Sequence, residues 1–193
     1  MKKSLGKMPA LYPMPVLMIA AYDENGTPCV MNAAWGTICG QDKIALIIGE
    51  RHKTTKNIRV SKAFTVALAD KEHMAEADFF GIASGNDMPD KFEKSGCHAE
   101  KSEFVNAPVI EEFPVTMECE LAEIVETDNL HAVVGTIVNV LADEKVLDEN
   151  GKVNPEKLNA LIFDQFQRGY YVSGDKAGKA WDAGMDMMKA AKE

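Results

Sequence analysis

Residues 50–62, ERHKTTKNIRVSK, concentrate positive charge in a chain whose formal net charge is −9 at pH 7. The segment starts where an apolar, strand-like run ends, and it continues into a predicted short helix. The free N–H groups and positive dipole end of a helix start suit a phosphate. Arg51 and Lys53 would add charge, while Thr54 and Thr55 would add hydroxyl donors, one of them as the helix cap. A solvated helix face is the ordinary alternative for such a run.

The decapeptide MNAAWGTICG, one predicted strand earlier, has the composition of a surface for a flat ligand. Ala33 and Ala34 leave room for a ligand beside the backbone. Asn32 and Thr37 can hydrogen-bond heteroatoms, and Trp35 can lie against a ring. A barrel corner with one core tryptophan is the alternative interpretation. A flat polar ring attached to a phosphate describes a mononucleotide, so the two segments together favour a mononucleotide cofactor.

The elements that hold these segments are predicted to be mostly strands. Residues 14–22 form an apolar run, and Asn25-Gly26 suits a tight hairpin turn before the strand TPCVMNAAW. Further strands are predicted at 43–50 and 64–70. The segment between them, TTKNIRVSK, is predicted to be helical, and Asp70 is placed to cap a second helix through KEHMAEADFFGIA.

The second half of the chain also favours hairpins. After a loop or single helical turn in SGNDMPDKFEKSG, residues 115–126 and 131–143 alternate apolar and polar side chains across the short connection TDNL. Asn154 and Pro155 mark a helix start, and GYYVSG is predicted as a short strand. Residues 177–193 are predicted to form an amphipathic helix. Trp181, Met185 and Met188 recur on one face of it.

Six or seven strands linked mostly by hairpins, with short helices inserted, predict an antiparallel β-barrel or sandwich. No GxGxxG follows a strand and no GxxxxGK[ST] occurs, so the sequence gives no support to Rossmann and P-loop folds. The acidic net charge also disfavours nucleic-acid partners, which require many cations.

The remaining composition bears on the location of the protein in the cell and on metal binding. The longest apolar run is too short to span a membrane, and the N-terminus does not resemble a signal peptide, so we predict a cytoplasmic protein. Four cysteines and four histidines show no zinc-like spacing. We therefore expect reduced thiols and no metal site.

Six segments occur in an order that resembles a known family: VLMIAAYDENGTPCVMNAAWGTI, ALIIGERHKTTKNI, FTVALAD, SGNDMPDKF, TDNLHAVVGTIVNV and IFDQFQRGYYVSG. The chain is similar to the flavin reductase-like family of FMN-binding split-barrel proteins, and especially to its flavoredoxin branch. The resemblance runs from about residue 8 to about residue 184, so residues 1–193 are expected to form a single domain of this type.

The resemblance implies a homodimer of antiparallel split β-barrels, with C-terminal helices and non-covalently bound FMN near the subunit interface. By position, the segment from Asn32 through Thr37 would border the isoalloxazine ring and ribityl chain. Five residues match the family's phosphate-binding segment. These are Arg51, Lys53, Thr54, Thr55 and Asn57. Three other basic residues, Lys56, Arg59 and Lys62, are expected to form a solvated helix face.

Three further residues match positions that approach the flavin in flavoredoxin-like proteins: Lys91, His131 and Phe163. Lys91 and His131 are the candidates for tuning the flavin. Each residue also has a structural interpretation. Lys91 would form an exposed ion pair in an acidic loop, His131 would be a hydrogen-bonded strand residue, and Phe163 would belong to the core.

The activity implied is electron transfer from NADH or NADPH through FMN to free flavin, a redox protein or another acceptor. In such chemistry the cofactor performs the difficult step, so no acid/base pair or nucleophile is required, and none stands out. An FMN-binding electron carrier without its own nicotinamide site is the alternative. A split barrel that binds pyridoxal phosphate or haem is a third alternative, although no residue is marked as a Schiff-base lysine.

Overall fold

The computed structural model describes residues 1–190, which are built mainly from antiparallel strands. In chain order the strands are β1 (Met14–Pro15), β2 (Leu17–Tyr22), β3 (Pro28–Ala33), β4 (Gly36–Ile38), β5 (Lys43–Leu46), β6 (Ala63–Leu68), β7 (Ala99–Lys101), β8 (Pro108–Ile110), β9 (Val115–Thr127), β10 (Leu130–Ala142), β11 (Leu161–Asp164) and β12 (Gly169–Val172). The helices are α1 (Lys53–Ser61), α2 (Met74–Ile82), α3 (Lys91–Ser95), α4 (Pro155–Leu158) and α5 (Met185–Ala190), with a 3₁₀ turn at Glu144–Val146. Within this part of the chain, no helix has both the length and the apolar character needed to cross a bilayer.

One sheet of seven strands dominates the molecule, in the order β3-β2-β6-β9-β10-β5-β4. All neighbouring pairs in it are antiparallel. The long β9–β10 hairpin lies near its middle, and its register shifts at Val134/Gly135 and at Ile137/Asn139. Bulges of this kind increase local twist, so the sheet curls into the half-barrel of a split-barrel fold. The predicted antiparallel split barrel is therefore confirmed.

Two smaller sheets complete the architecture. Strands β1, β11 and β12 form a three-stranded sheet in the order β1-β11-β12, and β7 pairs with β8. The β7–β8 pair covers one side of the large sheet, where Thr65 Oγ1 of β6 donates to the carbonyl of Pro108 at 2.6 Å. This cover creates a second core on the outer side of the half-barrel.

Strand β2 is buried on both faces, which explains its unbroken apolar sequence. Leu17 and Ile19 belong to the core inside the half-barrel, whereas Met18 and Ala20 pack with Phe80 of α2 in the outer core. Successive residues of a strand point to opposite sides of the sheet. A strand covered on both sides therefore has no position that favours a polar residue.

Gly135 of β10 allows close packing inside the half-barrel. The ring of Phe64 occupies the space that a Cβ atom on residue 135 would need, and the Cβ of Cys119 would lie 3.1 Å away. A glycine inside a strand commonly marks such a close approach. Any side chain here would push Phe64 out of the core.

Local patterns predicted several elements correctly. Residues 23–27 form the expected hairpin turn, in which Gly26 has a φ of 78°. Asn154 caps α4, because its Oδ1 accepts the backbone N–H groups of Glu156 and Lys157 at 2.8 and 3.2 Å. The long hairpin of β9 and β10 and the short strand β12 also lie where the sequence predicts them.

Other predicted bounds were wrong. The strand predicted at 43–50 ends at Leu46, and the N-cap residue of α2 is His73, although Asp70 Oδ1 accepts the His73 N–H at 2.9 Å. The short strands β4, β7, β8 and β11 were not predicted. The C-terminal helix begins at Met185, since Trp181 has a φ of 61° and is 97% exposed. Residues 191–193 of that predicted helix lie outside the described residues.

Candidate functional site

Helix α1 turns its first residues toward the interior. Both threonines expected to cap it lie within the helix, each only 2% exposed, and His52 is the N-cap residue without a side-chain cap bond. The predicted cap was wrong because α1 packs on β2 and β3, and this packing turns the threonine face inward. Thr54 Oγ1 lies 3.4 Å from the Sγ of Cys29, beneath the helix start. The first-turn N–H groups therefore have no side-chain cap.

Lys53 is held in place by the turn between β2 and β3. Its Nζ donates to Asp23 Oδ2 at 3.3 Å, and Asp23 Oδ1 accepts the backbone N–H groups of Asn25 and Thr27, both at 2.9 Å. Burial raises the pKa of the Asp23 carboxyl, but the two N–H groups and the Lys53 ammonium outweigh it and lower that pKa below its ordinary value. Asp23 therefore stays ionised and keeps a cation beside the start of α1.

Lys91 is buried, with 4% of its surface exposed, so the interpretation as an exposed ion pair was wrong. Its Nζ donates to the carbonyls of Ala83 at 2.8 Å and Phe80 at 3.4 Å, at the C-terminal end of α2. The same atom lies 5.8 Å from the centroid of the Phe80 ring. Burial lowers the pKa of Lys91, while the helix carbonyls and the ring face stabilise the cation.

Four of the predicted residues line one cleft of about 180 Å³, here named the α1 cleft: Asn32, Lys53, Thr54 and Lys91. Its remaining walls are Met31, His52 and residues 80–86. Asn32 Nδ2 donates to the carbonyl of Ala77 at 2.9 Å and so ties β3 to α2. Two ammonium groups, a hydroxyl and an uncapped helix start thus surround one small space. This donor set fits a phosphate.

The other residues of the predicted phosphate segment lie around this cleft and not in it. Thr55 Oγ1 and Asn57 Nδ2 are buried and have no hydrogen-bond partner among residues 1–190. Asn57 lines a larger neighbouring cleft that shares Lys53 with the α1 cleft. Arg51 is exposed, and its carbonyl accepts Asn86 Nδ2 at 3.0 Å.

A second group of predicted residues lines an apolar groove of about 310 Å³: Ala34, Trp35 and Thr37. Leu11 and Ile47 contribute to the same groove, which runs beside the N-terminal segment. Trp35 is 53% exposed, so the interpretation as a core tryptophan was wrong. Ala33 ends β3 and is half-buried against the core inside the half-barrel.

The last two predicted residues line neither the α1 cleft nor the groove. His131, at the start of β10, has its Nδ1 3.9 Å from Glu126 Oε1, and Glu126 also pairs with Arg59. Phe163 of β11 packs against the outer core, with its ring centroid 6.1 Å from that of Tyr170. Phe163 therefore has the core contacts that the sequence allowed as an alternative, whereas the His131 ring lies in a strand but beyond hydrogen-bond distance of Glu126.

Sequence reasoning missed two parts of the site. His52 and the loop of Ser84, Gly85 and Asn86 form walls of the α1 cleft, and only the turn-forming sequence SGN marked that loop. It also missed the hydrogen bond from the Tyr170 hydroxyl to Asp78 Oδ1 at 2.8 Å, which ties β12 to α2. Burial, followed by the Asp78 carboxylate, raises the pKa of Tyr170 to about 12.

A curled antiparallel half-barrel, with a cleft lined by two lysines at its first helix, places this chain among the split-barrel proteins. The family model described as "Flavin reductase like domain" matches residues 8–170. The chain therefore belongs to the flavin reductase-like family.

Two similar solved structures cover nearly the whole chain. Flavoredoxin of Desulfovibrio vulgaris (Miyazaki F) is 34% identical, with a TM-score of 0.90 over 95% of this chain and 100% of that one. Flavoredoxin from Methanosarcina acetivorans is 24% identical, with a TM-score of 0.88 over 97% and 100%, which demonstrates a shared fold. An uncharacterized protein of Aquifex aeolicus is 26% identical over 77% of this chain and 79% of its own length.

Proposed function

We propose that this protein binds FMN non-covalently and transfers electrons from NADH or NADPH, through the flavin, to free flavin or a redox protein. The observation that supports this most is the meeting of Lys53, Thr54 and Lys91 at the uncapped start of α1. Membership of the flavin reductase-like family supports a flavin as the group that would carry the phosphate. The cofactor when bound would supply the redox chemistry, by accepting a hydride and releasing electrons to the acceptor.

The residues of the chain would bind and orient. Lys53 and Thr54 would hold the phosphate together with the N–H groups of the first turn of α1. Asn32, fixed by its bond to Ala77, would offer its amide oxygen to the groups beyond the phosphate. Lys91 would provide a positive charge that is positioned before any ligand arrives, because its Nζ is already bonded to α2. A buried cation favours the more negative redox state of a group bound beside it.

The α1 cleft is too small for a whole flavin, since it measures about 180 Å³ and ligand pockets commonly reach roughly 300–1,000 Å³. The ring would therefore need a further surface. Trp35 offers an exposed aromatic face, and Ile38 of β4 and Ile47, which follows β5, are also exposed. Val138 and Val140 are exposed farther along β10. Apolar exposure of this extent commonly marks an interface.

We propose that a second copy of the chain covers this apolar face and completes the ring site, as the family resemblance implies. At that interface His131 would approach the flavin. Within a single chain His131 does not line the α1 cleft or the apolar groove. Light scattering on the FMN-loaded protein is expected to give the mass of a homodimer. A monomer at micromolar concentration would contradict this assembly.

The site itself is tested by Lys91→Met, with Lys94→Met as the matched control on the same helix. Lys94 is exposed, and among residues 1–190 it forms an ion pair only with Asp90, at 2.8 Å. Loss of a charge-assisted contact should weaken FMN binding by about 10- to 100-fold in Lys91→Met and by less than about twofold in Lys94→Met. Fluorescence titration of apoprotein with FMN measures both. Equal affinities in two folded variants would refute the assignment of Lys91.

The second candidate function is an electron carrier without its own nicotinamide site. The 34% identity to a flavoredoxin supports this alternative. Anaerobic mixing of the FMN-loaded protein with NADH or NADPH separates the two. Bleaching of the flavin band at a catalytically useful rate is expected for a reductase. Reduction by a partner redox protein alone would establish the carrier and remove the nicotinamide step from the proposal.

A further inference from the structure

The outward surface of α1 carries positive charge that the predicted phosphate site does not use. Lys56, Arg59, Val60 and Lys62 are exposed there, and we name these four residues the α1 face. The opposite side of the helix packs on β2 and β3. Residues 51–62 contain no Asp or Glu, although the formal net charge of the whole chain is −9. A cationic patch on an acidic protein creates a field that orients an approaching charged partner.

Two of the three cations of the α1 face have no carboxylate partner in the part of the chain that the structure describes. Arg59 forms an ion pair with Glu126 of β9, so its charge is already partly compensated. Lys56 and Lys62 form no ion pair among residues 1–190. Both ammonium groups are therefore available to carboxylates on another molecule.

Val60 gives the α1 face an apolar centre. It is 78% exposed and lies four residues, about one helical turn, from Lys56. Phe104, which is 57% exposed, lies two residues from Asn106 in the sequence, and Asn106 lines the same cleft as Val60. Interfaces between proteins commonly surround a small apolar centre with a polar rim. The α1 face has both parts of this arrangement.

The surface beside the α1 face is concave. A cleft of about 750 Å³ separates α1 from the turn between β2 and β3, and Lys56 and Val60 line it. Two carboxylates lie in this cleft, those of Asp23 and Glu24. The first is already bonded to Lys53, so it adds little repulsion toward an acidic partner. A protruding acidic segment therefore fits this surface in shape and in charge.

A protein fits the α1 face better than a membrane or a nucleic acid. A helix that binds a bilayer needs a wide exposed apolar side, but Ile58 of α1 is buried and only Val60 is exposed. Nucleic acids require many phosphate contacts, and two unpaired lysines supply few. Transient complexes of redox proteins, in contrast, bury little surface and depend on steering by a few charges.

The position of the α1 face also suits a partner in electron transfer. The cleft beside the face shares Lys53, Gly85 and Asn86 with the α1 cleft. A protein docked on the face would therefore lie next to the predicted phosphate site. No residue of the face lines the apolar groove of Trp35, which the proposed second copy covers.

We propose that the α1 face is the docking surface for an acidic protein, whose carboxylates contact Lys56 and Lys62 around an apolar contact with Val60. The identity of that protein as a redox partner rests on the proposed electron-transfer function. Its docking does not, because the binding can be measured without any transfer of electrons.

The test is surface plasmon resonance on the FMN-loaded protein, with an oxidised, acidic two-iron ferredoxin as the probe. We expect saturable binding in the micromolar to low millimolar range at low salt, weakened by at least about tenfold in about 0.5 M NaCl. Lys56→Glu and Lys62→Glu should each weaken the binding by roughly 3- to 10-fold, and Val60→Ser by roughly 2- to 5-fold. The affinity for FMN should stay unchanged in all three variants.

Lys71→Glu is the matched control, because it changes the net charge equally at an exposed lysine of a separate cleft. It should weaken ferredoxin binding by less than about twofold. A basic cytochrome c is the control probe, and its binding to this acidic protein should not fall in Lys56→Glu. A fall for both probes would mean that the substitution has disturbed the fold and would overturn the assignment of Lys56.

Three results would overturn the docking surface itself. These are no saturable binding of ferredoxin, equal weakening in Lys56→Glu and Lys71→Glu, or binding to phosphatidylserine vesicles that is lost in the α1-face variants, which would assign the face to a membrane. Failure of the proposed function is seen separately. Ferredoxin that binds through the α1 face without exchanging electrons with the flavin would refute the redox role of the partner and retain the docking surface.

Discussion

Asp23 connects the turn between β2 and β3 to the cation of the predicted phosphate site, and its replacement by alanine should affect both. The carboxylate is the acceptor for the N–H groups of Asn25 and Thr27 and for the Nζ of Lys53. Its side chain is only 10% exposed, so these contacts are partly shielded from water. Asp23→Ala removes all three contacts at once and leaves two N–H groups of the turn without their acceptor.

The size of the effect follows from these contacts. Each backbone N–H bonded to a carboxylate contributes about 1–1.5 kcal/mol net, and the partly exposed ion pair adds less than about 1 kcal/mol. Asp23→Ala should therefore lower the free energy of unfolding by about 2–4 kcal/mol and the Tm by roughly 5–15 °C. Asp23→Asn keeps an acceptor for the turn and should lose about half as much. FMN affinity should fall in both variants, because Lys53 is no longer held.

Urea denaturation at several pH values is the assay, with Glu24→Ala as control, since Glu24 is exposed and adjacent. The pKa of Asp23 is lowered in the folded protein, so its contribution to stability is complete above the ordinary value of 3.8 and disappears as pH falls through the folded pKa. The difference between the original protein and Asp23→Ala should shrink accordingly in acid. A difference below about 0.5 kcal/mol at neutral pH would refute this account of the turn.

Three further predictions follow from packing and burial. Gly135→Ala should lower the free energy of unfolding in urea by about 1–3 kcal/mol, because its methyl group would overlap the Phe64 ring; an unchanged midpoint would show that the core can relax. Cys39 should be the one thiol of the four that reacts rapidly with Ellman's reagent, since the other three cysteines are buried. Burial also raises the pKa of Cys119 to about 12. A second fast thiol would contradict this burial. Glu118 is fully buried; its Oε1 has no partner among residues 1–190, and its Oε2 accepts Asn139 Nδ2 at 2.5 Å. Glu118→Gln should therefore raise the Tm, because it removes a buried carboxylate. A lower Tm would mean that the charge is stabilising.

The parts of the fold that the sequence predicted correctly are those specified by neighbouring residues. The Asn154-Pro155 pair sets the start of α4 through its own backbone contacts, and Gly26 provides the positive φ of its turn. The apolar run of β2 follows from burial on two faces, which any strand in the middle of a covered sheet experiences. Such signals need no knowledge of distant segments.

The incorrect predictions concern residues whose burial depends on segments that are distant in the sequence. Thr54 and Thr55 have the side chains of caps, but contact of α1 with β2 and β3 turns them into the interior. Lys91 lies in a polar, acidic stretch of sequence, and its burial comes from packing against the end of α2, which is not apparent from its neighbours. Lysine is seldom buried, so composition favoured the wrong interpretation.

The candidate site was predicted only in part. Asn32, Lys53 and Thr54 do meet, as the order of strand and helix suggested, and Lys91 joins them. The segment from Ala34 to Thr37 lies in a separate groove because β3 ends at Ala33 and the chain then enters β4 at the far edge of the sheet. His131 and Phe163 were predicted from family resemblance alone, because neither lies in a local sequence pattern that indicates a ligand.

The pairing of β5 with β10 has a consequence for the chain during its synthesis. Leu46 of β5 pairs with Val133 of β10, and the start of α1 follows β5 directly. At about 5–20 residues per second, a ribosome needs on the order of 5–20 seconds to produce the partner strand after β5 has been made. During that interval β5 has no partner on the side that β10 will occupy, whereas the residues that line the α1 cleft, which lie between positions 31 and 91, are made before β10. The residues of the α1 cleft are thus complete in sequence before β5 gains its partner, so the edge of the sheet, and not the cleft, is the last part of this region to be closed.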